Sequence, residues 1–203
     1  ELLQPEQLLE DDVVVWDDER QQVMARQQRR LGALLLSDAP QPQPDAAAVQ
    51  RCLMEQLQRR GLEWLGWTSG QLQLRGRLAF LHQLEPELWP AVDDATLLQE
   101  LDHWLGPHLE GVRSAVQLQA IDLQKALLER LDWRARSQLD ALAPLRWTLP
   151  SGRHGRIDYS GEEPVLISRL QDFFGLQQTP RLAGGRHAVL VHLLSPAGRP
   201  AAV

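Results

Sequence analysis

Local structural preference changes several times between Arg153 and Leu194. Polar and apolar residues alternate over 156–159, which is the period-two pattern of a half-buried strand. The residues from Ser160 to Gly175 predict a helix, because two glutamates and a proline suit its first turn and an apolar stripe follows. The run 188–194 is apolar enough to predict a strand buried on both faces. A strand, a helix and a second strand are therefore expected in close succession.

The N-terminal end of the chain also carries β-forming residues. The run 13–16 is a short apolar β segment, and side chains alternate from Val23 to Gln28 before the apolar run 31–36. We expect two or three antiparallel strands here, with Gly32 at a bulge or a close backbone approach. The alternative is a helix over 19–36, since this stretch is rich in good helix formers.

Between these two ends lies a block of predicted helices over residues 45–143. Most of the predicted helices begin at a residue type that caps helices, and most end at glycine or before proline. The starts are expected at Asp45, at Thr68 or Ser69, and near Asp93–Asp94, with further helices at about 113–130 and 132–142. A strand at 145–149 then precedes the segment described first.

This arrangement predicts an α+β fold, because strands lie at both ends of the chain and helices between them. An isolated hairpin is only marginally stable, so the strands of both ends are expected to share one OB-like antiparallel β-barrel interrupted by a helical insertion. The expected divisions are 1–37 for the first barrel strands, 45–143 for the helical insertion, and 144–203 for the remaining strands with the helix at 160–175.

The charge distribution points to the C-terminal quarter as the part that would contact a polyanion. The net charge of −6 argues against a dedicated nucleic-acid-binding domain. Residues 153–203, however, contain six arginines and four carboxylates, a net charge of +2 that leaves −8 for residues 1–152. The candidates for binding nucleic acid are Arg153, Arg156, Arg181 and Arg186 as phosphate ligands, and Trp147 as a residue that stacks on a base. The alternative is that these arginines pair with nearby carboxylates or contact other domains.

Several kinds of chemistry find no support in the sequence. The chain contains neither the phosphate-binding pattern GxxxxGK[ST] nor a DEAH sequence, and no catalytic residue or metal ligand set is predicted. Its single cysteine excludes an intrachain disulfide. The absence of a long apolar run predicts no membrane partner, and we expect a cytoplasmic location.

A family resemblance adds to this interpretation. Short motifs in the C-terminal part read, in order, RIDYS, EPVL, RLQDFFGL, TPR, AGGR and HLLSP. In this order and spacing they resemble the C-terminal region of the HrpB family of bacterial ATP-dependent helicases, which are similar to DEAH-box RNA helicases. A weaker resemblance extends upstream through VVWDDER, RRLGALLLS and LAPLRWTLPSG.

The resemblance implies a parent protein whose two RecA-like motor domains bind ATP and Mg²⁺, so no cofactor is expected in this chain. The chain itself would be a non-catalytic accessory region that helps to form a single-stranded RNA channel and couples it to the motor domains. The parent's motor domains, single-stranded RNA and other proteins are its candidate partners. The alternative function is a protein-docking or scaffolding module without RNA contact. A stand-alone hydrolase is not supported, because the sequence contains no recognisable set of catalytic residues. Because the family region continues past SPAGRP, Val203 is expected to truncate it.

Overall fold

The computed structural model describes residues 8–195. The helices are α1 (Ala46–Arg60), α2 (Ser69–Leu84), α3 (Asp94–Gln99), α4 (Leu101–Trp104), α5 (Ala115–Gln119), α6 (Leu123–Leu128) and α7 (Trp133–Leu142). The strands are β1 (Leu8–Asp17), β2 (Gln22–Leu31), β3 (Leu34–Pro40), β4 (Arg146–Thr148), β5 (His154–Asp158), β6 (Val165–Arg169), β7 (Arg181–Leu182), β8 (His187–Ala188) and β9 (Leu190–Leu194). Among these residues, no helix is long and apolar enough to cross a membrane.

The chain divides into two compact units, each built from two separate segments. The first comprises Glu1–Gly66 and Leu98–Asp122, and the second comprises Trp67–Leu97 and Leu123–Val203. Each unit contains both helices and strands, so the predicted α+β class is confirmed.

In the first unit, strands β1, β2 and β3 form an antiparallel meander. The strand interpretation of 19–36 is thus confirmed, and the helical alternative is wrong. Gly32 is not at a bulge: it has a positive φ of 58° and forms the turn with Ala33, because Leu31 pairs with Leu34. The irregularity in register falls instead between Arg29 and Arg30.

Helix α1 of the first unit begins as predicted, since the Asp45 carboxylate accepts a hydrogen bond from the Ala48 N–H at 3.0 Å. Its apolar face buries Leu53 and Leu57 completely. Two backbone hydrogen bonds join the meander to the start of α5: the Val23 N–H donates to the Arg113 carbonyl at 2.7 Å, and the Ala115 N–H donates to the Gln21 carbonyl at 2.9 Å.

The helices of the second unit start at the expected capping residues. Thr68, rather than Ser69, caps α2 in a capping box with Gln71, and Asp132 accepts from the Ala135 N–H at the start of α7. The single helix expected over 113–130 is instead two short helices, α5 of the first unit and α6 of the second, which are separated near Asp122. Aspartate favours turns and helix starts over helix interiors, which accounts for the break.

The segment expected to be a helix between Ser160 and Gly175 contains strand β6 and a short 3-10 turn, so that prediction is wrong. Strand β6 is hydrogen-bonded on both sides, antiparallel to β5 and parallel to β9. The Ser160 hydroxyl donates to the Asp158 carboxylate at 2.7 Å, where the prediction had it capping a helix. Pairing along two edges and the β-branched Val165 and Ile167 outweigh the weak helical preference of this short segment.

The strands from the two ends of the chain do not combine into one barrel. Strands β1–β3 form one sheet, β4, β5, β6 and β9 form a second in that order, and β7 and β8 form a small ribbon. No closed barrel is present among residues 8–195. The expectation failed because a third N-terminal strand lets the meander pair within itself, whereas the prediction had assumed a marginal hairpin.

Helix α2 docks closely on the second sheet. A Cβ atom added at Gly76 would overlap the carbonyl oxygen of Tyr159, so only glycine allows this approach. The Gln73 side chain donates to the Asp158 carboxylate at 2.7 Å and accepts from the Tyr159 N–H at 2.9 Å. Nearby, the buried Arg77 donates to the carbonyl of Ala143 at 2.6 Å. The end of β5 is therefore held against the middle of α2.

We expect Gly76→Ala to destabilise the chain by about 1–3 kcal/mol, because the added methyl group overlaps backbone that cannot rotate away. The matched control is Gly70→Ala in the same helix, where no heavy atom lies within 4 Å of the added Cβ and alanine is the better helix former. Urea unfolding of both variants checks this. Equal unfolding midpoints for the two variants would contradict the assigned contact.

Candidate nucleic-acid interface

The four-stranded sheet of the second unit has one buried and one exposed face. Side chains alternate between the faces along each strand, and paired residues on neighbouring strands share a face. Gly155, Ile157 and Leu166 are buried on the inner face. The outer face, called here the arginine face, carries Arg146, Thr148, His154, Arg156, Asp158, Val165, Ile167, Arg169, Leu190, His192 and Leu194, which are all exposed or half-buried.

Basic residues predominate among the charged groups of the arginine face. Register places Arg146 directly opposite Arg156, and like charges in this position repel each other. The Arg156 side chain is 64% exposed and lies 3.4 Å from the Asp158 carboxylate. Within the described part of the chain, neither Arg146 nor Arg169 has a carboxylate within ion-pair distance. The face therefore presents more positive charge than its own acidic residue can balance.

Asp158 is the acidic residue of this face, and its carboxylate is already occupied. The hydroxyl and the N–H of Ser160 both donate to it, at 2.7 and 3.0 Å, and Gln73 donates from α2. These hydrogen bonds, led by the Ser160 hydroxyl, hold the pKa of Asp158 below its ordinary value, with a smaller contribution from Arg156. Asp158 thus serves to fix the end of β5 against α2.

The remainder of the arginine face consists of Thr148, two histidines and aliphatic side chains. The His154 ring lies 3.2 Å from the Thr148 hydroxyl, and His192 is exposed on the opposite edge strand. Val165 and Ile167 are half-buried between these strands. Apart from the two histidines, none of the positions that define this face carries an aromatic side chain that could stack on a base.

Of the predicted ligands, the structure places only Arg156 on the arginine face. Arg153 lies in the loop before β5, 3.9 Å from the buried Asp172 carboxylate. Arg181 donates to the carbonyl of Gly185 at 2.6 Å, beside the small β7–β8 ribbon.

Arg186, the fourth predicted arginine, also belongs to the ribbon region. Its Nε donates to the carbonyl of Ala183 at 2.8 Å, and its terminal nitrogens lie 3.3 Å from the Glu85 carboxylate. All four predicted arginines are exposed, so none is consumed in a buried ion pair, but three of them have local partners away from the sheet.

Trp147 lies on the inner side of the sheet, because its partner across the strand pair is the buried Gly155. Its side chain is half-buried and points away from the neighbouring Arg146 and from Arg156. A base held by the arginine face would therefore not stack on Trp147.

The sequence interpretation missed Arg146 and Arg169. The alternation Arg146-Trp147-Thr148 contained the signal for Arg146, since it places the arginine on the side opposite the tryptophan. Arg169 was hidden by the incorrect helix, in which it had no defined relation to Arg156. Elsewhere, no group of three or more histidine, cysteine, aspartate or glutamate side chains within residues 8–195 is arranged to hold a metal ion.

Two family models match this chain. A family model described as "ATP-dependent helicase C-terminal" matches residues 104–203, and a model described as the connector region of the ATP-dependent RNA helicase HrpB matches residues 7–41. The ATP-dependent RNA helicase HrpB of Escherichia coli (strain K12) is 36% identical over 198 residues, which are 97% of this chain. The chain spans only 24% of the length of that relative.

Solved structures give the same result. A crystal structure of the E. coli DExH-box NTPase HrpB matches with a TM-score of 0.75 and 36% identity, covering 96% of this chain and 24% of that one. A crystal structure of the Escherichia coli DEAH/RHA helicase HrpB matches with a TM-score of 0.72 and 34% identity, covering 100% of this chain and 26% of that one. The fold and the family models together match the C-terminal region of the helicases of this family. The chain belongs to the HrpB family.

We expect Asp158→Asn to lower the melting temperature at neutral pH, and the difference from the unchanged chain to shrink as the pH falls. A carboxylate with a lowered folded-state pKa stabilises the fold above the ordinary aspartate pKa of about 3.9, and this stabilisation is lost as the pH falls through the folded value. Thermal unfolding from pH 7 to pH 2.5 measures it. Glu162→Gln, on the exposed loop after β5, is the control. A difference that stays constant with pH would contradict the role of the Asp158 charge.

Proposed function

We propose that this chain is the non-catalytic C-terminal accessory region of a DEAH-box RNA helicase, where it helps to form the single-stranded RNA channel and couples it to the motor domains. The observation that carries the proposal is the exposure of the arginines in the C-terminal part of an HrpB-family chain. Exposed guanidinium groups bind phosphates in fork geometry and remain charged at every physiological pH. The E. coli relative is itself described as an ATP-dependent RNA helicase.

ATP hydrolysis belongs, in this proposal, to motor domains outside the chain. The sequence has no GxxxxGK[ST] loop and no DEAH sequence that could hold ATP and Mg²⁺. The contribution of this region is therefore electrostatic and structural: it attracts the RNA backbone and positions it. A cytoplasmic location forms part of the same proposal.

RNA binding by this chain should depend steeply on salt. Each phosphate contact to a single strand contributes about 0.7 to the slope of log affinity against log salt, so three to four contacts predict a loss of about 20- to 50-fold between 50 and 200 mM salt. Fluorescence anisotropy with a labelled single-stranded RNA measures the affinity. A chain that binds no RNA even at the lower salt would rule out a direct channel role.

Docking of another protein, or of the motor domains, is the second candidate function. Trp133, the first residue of α7, leaves 85% of its surface exposed, which is unusual for a large aromatic side chain. Exposed tryptophans of this kind are common anchors in protein–protein interfaces. This function does not require RNA contact and would use the helical part of the second unit.

If Trp133 anchors the motor domains, Trp133→Ala should weaken their association with this chain by about tenfold or more. The association of separately produced motor domains and this chain can be measured by calorimetry. Val116→Ala is the matched control, because Val116 is also highly exposed, at 77%, on a helix of the first unit. Equal effects of the two substitutions would remove the argument for docking through α7.

A further inference from the structure

We infer that the arginine face binds the phosphate backbone of single-stranded RNA through Arg146, Arg156 and Arg169, and that Arg153, Arg181 and Arg186 are not its main ligands. The inference rests on the proposed function and names the surface that performs it. The two sets contain three arginines each and lie in the same unit of the chain. They differ in what their guanidinium groups already contact.

The position of these arginines is the first argument. Arg146 and Arg156 are directly opposed on neighbouring strands, which lie about 5 Å apart in any sheet. Arg169 follows Ile167, the partner of Arg156, by two residues and so projects from the same face. Three positive groups on one flat surface repel one another, and a polyanion laid across them removes that repulsion.

The available hydrogen-bond donors are the second argument. Within residues 8–195, Arg146 and Arg169 have neither a carboxylate nor a carbonyl partner, and Arg156 shares a carboxylate that Ser160 already occupies. By contrast, Arg181 donates to a backbone carbonyl, and Arg186 contacts both a carbonyl and Glu85. Arg153 lies 3.9 Å from the buried Asp172 carboxylate. Two of the three arginines of the face therefore have no partner among these residues, whereas each arginine of the other set has one.

The chemistry of the face indicates how a nucleic acid would be bound. Its uncharged positions carry aliphatic side chains such as Val165, Ile167 and Leu190, and Trp147 faces the other way. Bases would find no large aromatic platform there, whereas phosphates would find three forked donors. The surface should therefore bind the backbone independently of sequence and should not distinguish ribose from deoxyribose.

The test compares two triple variants of the full chain that remove equal charge. One is Arg146→Gln, Arg156→Gln, Arg169→Gln, and the other is Arg153→Gln, Arg181→Gln, Arg186→Gln. With a fluorescein-labelled U12 RNA at low salt, the first variant should lose on the order of 30-fold or more in affinity and reduce the salt slope by about 2, and the second should lose less than about threefold.

Two further measurements keep the test decisive. Replacing the same three residues of the arginine face by lysine keeps the number of phosphates that the face neutralises, so most of the affinity should remain. A labelled dT12 strand should bind the unchanged chain within about threefold of U12. Circular dichroism establishes whether each variant is folded. If the glutamine triple variant unfolds, the single variant Arg169→Gln at the end of β6 replaces it. Its expected effect is a reduction of about 0.7 in the slope of log affinity against log salt.

The outcomes separate the inference from the proposed function. If the unchanged chain binds RNA but the arginine-face variant binds equally well, this inference fails while the proposed function stands. Binding of RNA more than about tenfold tighter than DNA would overturn the backbone-only mode, because it requires contacts to the 2′-hydroxyl. If the unchanged chain binds neither strand at low salt, both fail. Binding of an acidic peptide such as oligoglutamate in preference to U12 would reassign the face to a protein partner.

Discussion

The second unit depends on the close approach of helix α2 to the end of strand β5. Gly76 leaves the space that the Tyr159 backbone occupies, and Gln73 satisfies both the Asp158 carboxylate and the Tyr159 N–H. The Tyr159 hydroxyl then donates to the carbonyl of Pro144 at 2.7 Å, just before β4 begins. Because the ring is buried, the pKa of Tyr159 is raised, so the phenol remains a neutral donor. Helix α2 thereby fixes where β5 ends and, through the Tyr159 hydroxyl, where β4 begins.

The same docking separates the two faces of the sheet. Since α2 holds Tyr159 on the buried side, the residues before it must alternate, with Ile157 inward and Arg156 outward. Because paired residues on neighbouring strands share a face, the register of β4 and β6 places Arg146 and Arg169 on the same face as Arg156. Like charges are tolerated on the outer face because solvent screens them there.

Much of the fold follows from local signals in the sequence. Asp45, Thr68 and Asp132 cap their helices as their residue types predict, since capping depends only on a side chain and the next turn of backbone. The N-terminal strands were likewise identifiable from alternation. The segment after Ser160 was not, because its glutamates, proline and apolar stripe fit a helix, while its strand state depends on hydrogen bonds to β5 and β9. Hydrogen bonds to distant strands cannot be identified from such a local pattern.

The sequence by itself determined the helical block, the family and the concentration of arginines near the C-terminus, because each is a property of composition, spacing or motif order. Only the tertiary structure decided which arginines share a surface. Arg146 and Arg169 are 23 positions apart in the chain, and Trp147 and Arg146 are neighbours that face opposite ways. Strand register brings the first two onto one face and separates the second two, since side chains alternate by sheet face and not by sequence distance.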